Sequence, residues 1–175
     1  QNHPNAQFIL GIIYYTGEYI KRDINKAHYY LSQVANQNYP DAQIILANIY
    51  YTGEYITPNI NKSIFYLTLA ANQNNPKALY LLGFIYYSGH NITQDVAKVI
   101  YYFSLTANQN HPDAQYFLGS ECFKLMDIKK GIHYLIRSSL NGSKIVCFAV
   151  GYLYHEGKYM ARNIRQSLHF YKEAT

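Results

Sequence analysis

The apolar positions of this chain recur with two periods at once. Within short segments they fall three and four residues apart, the spacing of one helical face. Over longer distances the whole pattern returns every 36 residues. QNHPNAQ opens at Gln1, and QNYPDAQ, QNNPKAL and QNHPDAQ follow at Gln37, Gln73 and Gln109. A fixed period of this length marks an array of stacked supersecondary units.

The unit can be read position by position. Pro4 stands where a first helical residue would, since its fixed φ suits that place and its missing N–H is not needed there. Ala6, Leu10, Gly11 and Tyr14 then share one face, as do Ala42, Leu46, Ala47 and Tyr50, then Ala78, Leu82, Gly83 and Tyr86, then Ala114, Leu118, Gly119 and Cys122. Small residues beside a Leu and a Tyr let two helix backbones approach while the large side chains interlock. This predicts a helix A, centred near residues 10, 46, 82, 118 and 150, with that face in the core. A turn follows at Gly17, Gly53, Gly89 and Gly157, then an apolar plug at Ile20, Ile56, Ile92 or Met160. Asp23, Asn59, Asp95 and Asn163 stand where an N-cap oxygen is wanted. They open a helix B whose buried face carries Ala27, Tyr30, Leu31 and Val34, with Lys26 and Lys62 on solvated ground. Helix B closes at Asn38, Asn74, Asn110 and Gly142, residue types that accept a left-handed C-cap. One such pair cannot bury both its faces, so copies stack and each covers its neighbour.

The pattern A-x3-LG-x2-Y-x2-G-x2-I-x2-D-x2-KA-x2-YY-x3-A, nearly complete from Ala6 to Ala35, resembles the Sel-one-like repeat (SLR), a cousin of the tetratricopeptide repeat with a longer turn. The resemblance covers essentially the whole chain. It implies an all-α fold, an α-solenoid built as a right-handed superhelix of about five antiparallel helix pairs, over residues 4–39, 40–75, 76–111, 112–143 and 144–175. It also implies a non-catalytic scaffold or adaptor that binds other proteins. The fourth copy departs from the pattern: 32 residues separate Gly119 from Gly151, and the four missing ones come from the A–B turn. A tighter turn, and the array's weakest joint, are expected there.

In the related tetratricopeptide architecture the A helices line the concave face. A core centred on Ala6, Leu10 and Tyr14 leaves positions 8, 12 and 15 pointing the other way. The three columns read Phe8, Ile44, Tyr80, Tyr116, Phe148, then Ile12, Asn48, Phe84, Ser120, Tyr152, then Tyr15, Tyr51, Tyr87, Phe123, His155. Phe8, Asn48, Tyr51, Tyr80, Phe84, Tyr87, Tyr116 and Tyr152 are the candidate partner-binding residues, because rigid aromatic anchors usually carry binding energy. The plainer reading is that these rings pack on adjacent A helices and expose only an edge. No Lys or Arg stands in the columns, so a clamp for an acidic tail lacks its cations. An apolar or aromatic-matching segment of a protein or peptide suits the columns better.

Composition narrows the field further. At 49% hydrophobic and 14% charged, the chain has ample apolar surface for a continuous core. No apolar run approaches the ~18 residues of a membrane span. No basic-then-apolar leader is visible. Beginning inside a repeat, the chain reads as an excerpt of a longer protein, with a lean to the cytoplasm. Cys122 and Cys147 are expected to be free thiols: one ends its A helix and the other begins the next, displaced by roughly 10 Å along near-parallel axes, beyond the ~7 Å a disulfide tolerates. Three N-x-S/T triplets occur at Asn61, Asn91 and Asn141 and matter only in a secretory setting.

The whole net charge of +5 falls in residues 121–175, with nine Lys/Arg against four Asp/Glu. These basic residues are scattered over loops and both helix types without a nucleic-acid motif, so the plain reading is a solvated surface. The seven His are dispersed, and no phosphate loop, GxSxG elbow or HExxH is present. No catalytic residue, cofactor or metal is therefore expected. Two functions remain open: a scaffold that binds a peptide or helix in an aromatic groove, or a regulatory array attached to a catalytic domain such as a kinase-like one.

Overall fold

The structure, a computed structural model, describes residues 3–54 and 56–175; Gln1 and Asn2 of the first QN motif lie outside the described residues. Helix A and helix B alternate along the chain. The A helices are α1 (Pro4–Thr16), α3 (Pro40–Thr52), α5 (Pro76–Ser88), α7 (Pro112–Lys124) and α9 (Lys144–Glu156). The B helices are α2 (Ile24–Ala35), α4 (Ile60–Ala71), α6 (Val96–Asn108), α8 (Ile128–Leu140) and α10 (Ile164–Glu173). Among the described residues there is no strand, and the fold class is all-α, that of an α-solenoid. The chain divides into two compact units, Gln1–Val96 and Ala97–Thr175.

Helix limits follow from local chemistry. Proline opens α1, α3, α5 and α7. Helices α1, α3, α5 and α9 each end on a glycine in the left-handed region, such as Gly53 at φ 65°, whose N–H donates back to Ile49. A side chain there would also run into the ring of Pro58. The B helices begin where Asp23, Asn59, Asp127 and Asn163 accept a hydrogen bond from the N–H three residues on, at 3.0–3.2 Å. Past the B helices, Asn38, Asn74, Asn110 and Gly142 turn the chain with positive φ.

The shortened fourth turn retains the bond that closes the others. In the seven-residue turns the N–H of the N-cap residue donates to the carbonyl at the tyrosine position: Asp23 to Tyr14 at 3.0 Å, Asn59 to Tyr50 at 2.8 Å and Asn163 to Tyr154 at 3.0 Å. In the turn of residues 125–127, Asp127 donates to Cys122 at 2.9 Å. The hairpin therefore closes as in its siblings, but with no glycine available the exposed Met126 takes the left-handed place, at φ 62°.

Packing within a hairpin relies on close approach. A Cβ on Gly11 would lie 2.7 Å from Leu31 Cδ2, and one on Gly119 would lie 2.9 Å from Leu135 Cδ2, so glycine lets each B-helix leucine sit against the A-helix backbone. On the outer side of that contact, Tyr14 stacks on Tyr30 and Tyr50 on Tyr66, both with centroids 5.9 Å apart, and Tyr154 stacks on Phe170 at 5.8 Å. Lys26 and Lys62 hold their ammonium groups 5.1 and 4.9 Å from the centres of Tyr14 and Tyr50. These lysines therefore cap an aromatic stack as well as meeting solvent, a cation–π role that their sequence position alone did not reveal.

Between repeats, Ile24, Ala27, Leu31, Val34 and Ala35 of α2 form one core with Ala42, Leu46 and Ile49 of α3. A buried glutamine crosses this joint: Gln43 Nε2 donates to the carbonyl of Ala35 at 3.0 Å, while its Oε1 accepts from Gln73 at 3.0 Å. Gln115 repeats the arrangement, with Ala107 at 3.0 Å and Asn141 at 2.9 Å. Cys122 and Cys147 are both free thiols, and Cys147 lies buried 3.3 Å from Ser139 Oγ.

One part of the core expectation fails. Ala42, Ala78, Ala114, Leu46, Leu82 and Leu118 are buried, but Ala6 is exposed and Leu10 is 38% exposed. The plug Ile20 is likewise exposed, whereas Ile56 packs on the α2–α3 core. In later repeats each of these positions is covered by the helix B of the repeat before it, and among the described residues no helix precedes α1.

Candidate functional site

The columns opposite the core of the A helices are the candidate site. In the first unit, Asn48, Phe84 and Tyr87 are exposed, the rings to 43% and 47%. Phe8, Tyr51 and Tyr80 are half-buried. Phe8 leans on Tyr39 with centroids 5.1 Å apart, and Tyr51 meets the ring of His90 edge-on at 6.2 Å. Asn48 donates to the phenol oxygen of Tyr15 at 2.7 Å, which ties two columns of adjacent helices together.

Ile44 is a correction: at 4% exposed it belongs to the core and not to a face. Its short side chain ends below the level that the longer rings of the same column reach. Ile12 and Tyr15 are half-buried. In the second unit, Tyr116, Phe148 and Tyr152 are exposed to about half or more, His155 is exposed, and Ser120 and Phe123 are half-buried.

The columns hold no Lys or Arg, yet one cation stands beside them. Arg22 lies 5.5 Å from the centre of the Tyr15 ring and donates from Nε to the Tyr15 carbonyl at 2.8 Å. Its two terminal nitrogens bond both oxygens of Glu54, at 2.6 and 2.9 Å. Its charge is therefore already matched. The column reading missed this pair, because Arg22 sits in the turn and not on a helix face.

A pocket of about 110 Å³ opens on the A-helix face of the first unit. Asn48 and Tyr51 of α3, Leu81 and Phe84 of α5, and Ser63 and Leu67 of α4 line it. Ser63 is fully buried, and its hydroxyl has no hydrogen-bond partner. Sequence columns of A helices alone could not find Ser63 and Leu67, which come from a B helix. The available signal was a hydroxyl at a core position held by Ala27, Val99 and Gly131 in three other copies and by Ser167 in the fifth.

Titratable groups outside these columns are perturbed in only a few places. Burial, with Lys62 adding to it, lowers the pKa of His28 below 6.5. Burial and then Tyr50 raise that of Tyr66 above 10.0. The Cys122 thiol is pushed up by burial, against the opposing pull of Lys130. Among the described residues no three His, Cys, Asp or Glu side chains gather as a metal site, and no helix is long and apolar enough to cross a membrane.

Comparison with known proteins agrees with this architecture. No curated protein matches the chain in sequence. A Sel1 repeat protein from Oxalobacter formigenes superposes with a TM-score of 0.83 at 25% identity, over 99% of this chain and 72% of that one. A protective antigen of uropathogenic Escherichia coli displaying an SLR fold gives a TM-score of 0.81 at 24% identity, over 99% of this chain. The present chain spans only 38% of that antigen's length. An immunity protein of Pseudomonas aeruginosa matches at 0.59 and 19% identity, over 98% of this chain and 67% of its own. The Sel1 repeat description matches residues 4–39, 40–75, 76–111, 112–143 and 145–175. Repeats of this kind generally mediate protein–protein interaction and are typically non-catalytic. With five tandem matches laid over the helix pairs described above, the chain belongs to the Sel1 repeat family.

Proposed function

We propose that this chain is a non-catalytic scaffold that binds a peptide or helix of a partner protein across the exposed columns of its A helices. The observation that carries the reading is the exposure of Phe84 and Tyr87 on the same helix as the fully buried Leu82. One helix thus divides into a core face and an aromatic outer face. Aromatic side chains bring large, rigid contact area at little entropic cost, and rings of this kind dominate binding energy at interfaces. An apolar or aromatic-bearing segment is the better-matched partner, because the columns hold no Lys or Arg and Arg22 is already engaged by Glu54. Tyr116 and Tyr152 would extend the same chemistry in the second unit.

A pulldown with the whole chain, followed by titration of the captured protein against Phe84→Ala and Tyr87→Ala, tests the reading. Each substitution should weaken binding by about 2 kcal/mol and leave the melting temperature nearly unchanged. If these variants melt as early as Leu82→Ala, the rings are core and the reading fails.

A further inference from the structure

The pocket between α3, α4 and α5 differs from the rest of the A-helix face in two respects. It reaches a B helix, touching Ser63 and Leu67 behind the columns. It also ends on a hydroxyl that is fully buried and bonded to nothing. A buried polar group without a partner is uncommon in folded proteins and asks for an explanation. The other side-chain polar groups of the lining are the Asn48 amide and the Tyr51 phenol. Asn48 is already committed to Tyr15 through its amide nitrogen.

Resting on the groove reading above, we infer that this pocket is a socket for one side chain of the bound segment: uncharged, aliphatic in its body, and carrying a single hydrogen-bonding atom, as threonine or methionine does. Three features select that chemistry. The volume of about 110 Å³ is a little below the roughly 150 Å³ that holds a benzene, which suits three to five heavy atoms. The lining carries no charged residue, so a Lys, Arg, Asp or Glu inserted there would lose its hydration without compensation. Ser63 Oγ supplies one donor and spare acceptor capacity, enough for one polar atom of a guest but not for a full amide. A purely aliphatic guest fills the volume and leaves the hydroxyl unsatisfied; a Thr or Met guest fills it and satisfies the hydroxyl too.

The repeat itself suggests how to close the socket. The residues equivalent to Ser63 are Ala27, Val99 and Gly131 in the first, third and fourth copies and Ser167 in the fifth. Ser63→Val therefore fills the pocket with a side chain that this position already accommodates, and Ser63→Ala removes only the hydroxyl. A random peptide display library is panned on the immobilised whole chain, and enriched peptides are titrated against wild type and both variants, with melts as a check on folding. The expected result is enrichment of Thr or Met at one fixed position. Replacing that residue by Lys should weaken binding at least tenfold, and so should Ser63→Val. Ser63→Ala should erase the preference for Thr or Met over Val or Leu while still binding the latter. Peptides that lose affinity with Tyr87→Ala but bind Ser63→Val and Ser63→Ala within twofold of wild type would leave the groove standing and overturn the socket. A library that yields no binder overturns both.

Discussion

The imidazole Nε2 of His28 on α2 lies 2.8 Å from the phenol oxygen of Tyr50 on α3 and links the first repeat to the second. The rings meet edge-on at 86°, and Lys62 stands over the far partner with its ammonium 4.9 Å from the Tyr50 ring centre. The three equivalent positions that follow hold Ile64, Ile100 and Ile132, so a titratable ring has replaced an aliphatic one at this joint alone among the four.

Because burial and Lys62 depress the His28 pKa from its ordinary 6.5, the unfolded chain binds the proton more readily than the folded one. Stability from the neutral ring is therefore complete above that value and is lost as pH falls below it toward the folded pKa. Melting temperature followed from about pH 7.5 to 5 should decline more steeply in wild type than in His28→Ile. Parallel curves for the two would show that His28 carries no such linkage.

Leucines at one repeat position should differ in what their removal costs. Leu46 and Leu82 are fully buried, while Leu10 is 38% exposed. Leu46→Ala and Leu82→Ala should each cost about 2–5 kcal/mol through lost burial and a cavity. Leu10→Ala should cost about three-fifths of that, by simple proportion to the apolar area it shields. Urea unfolding of the three variants checks the ranking, and equal midpoints would contradict it.

Two turns call for opposite substitutions. Gly53 sits at φ 65° with Pro58 against the place a Cβ would occupy, so Gly53→Ala should destabilise by more than about 1 kcal/mol. Met126 holds a similar conformation, at φ 62°, with its side chain 79% exposed. Met126→Gly relieves backbone strain without removing packing. It should stabilise by up to about 1 kcal/mol after the entropy of the freer unfolded chain is subtracted. Thermal melts that move in the same direction for both would refute the assignment.

Arg22 and Glu54 form a bidentate pair between successive turns, with side chains 34% and 48% exposed. A double-mutant cycle with Arg22→Ala and Glu54→Ala should return a coupling of about 0.5–1 kcal/mol, large for a surface pair because of its geometry. Raising salt to about 1 M should reduce it, since screening then acts within ~3 Å. A coupling indistinguishable from zero at low salt would mean that the pair adds no stability.

What the sequence disclosed was whatever depends on a residue and its near neighbours. Pro4, Gly17, Asp23 and Asn38 each fix backbone geometry through local bonds, so the helix ends could be read from one repeat and carried to the others. Burial depends instead on the next helix over. Ala6 and Ala42 are the same residue at the same position, yet one is exposed and the other buried, because among the described residues only the second has a helix before it. Ile44 sank below its column for want of length, and Ser63 came to the face from a B helix that period counting assigns wholly to the core. Local chemistry was legible; depth required neighbours.

The glutamine at the repeat joints has a consequence for modular engineering. Gln43 and Gln115 each read two outside groups, a terminal carbonyl of the preceding B helix and a side-chain amide from the turn that ends their own repeat. The third repeat places the buried Leu79 there, and the fifth places Cys147 against Ser139. The side-chain amide travels with its own repeat, so a repeat bearing leucine there, set after the first or third B helix, would leave the carbonyl of Ala35 or Ala107 without its glutamine donor. Although the helices look alike, the modules are keyed: a shuffled array should tolerate exchange of the second with the fourth copy far better than of either with the third.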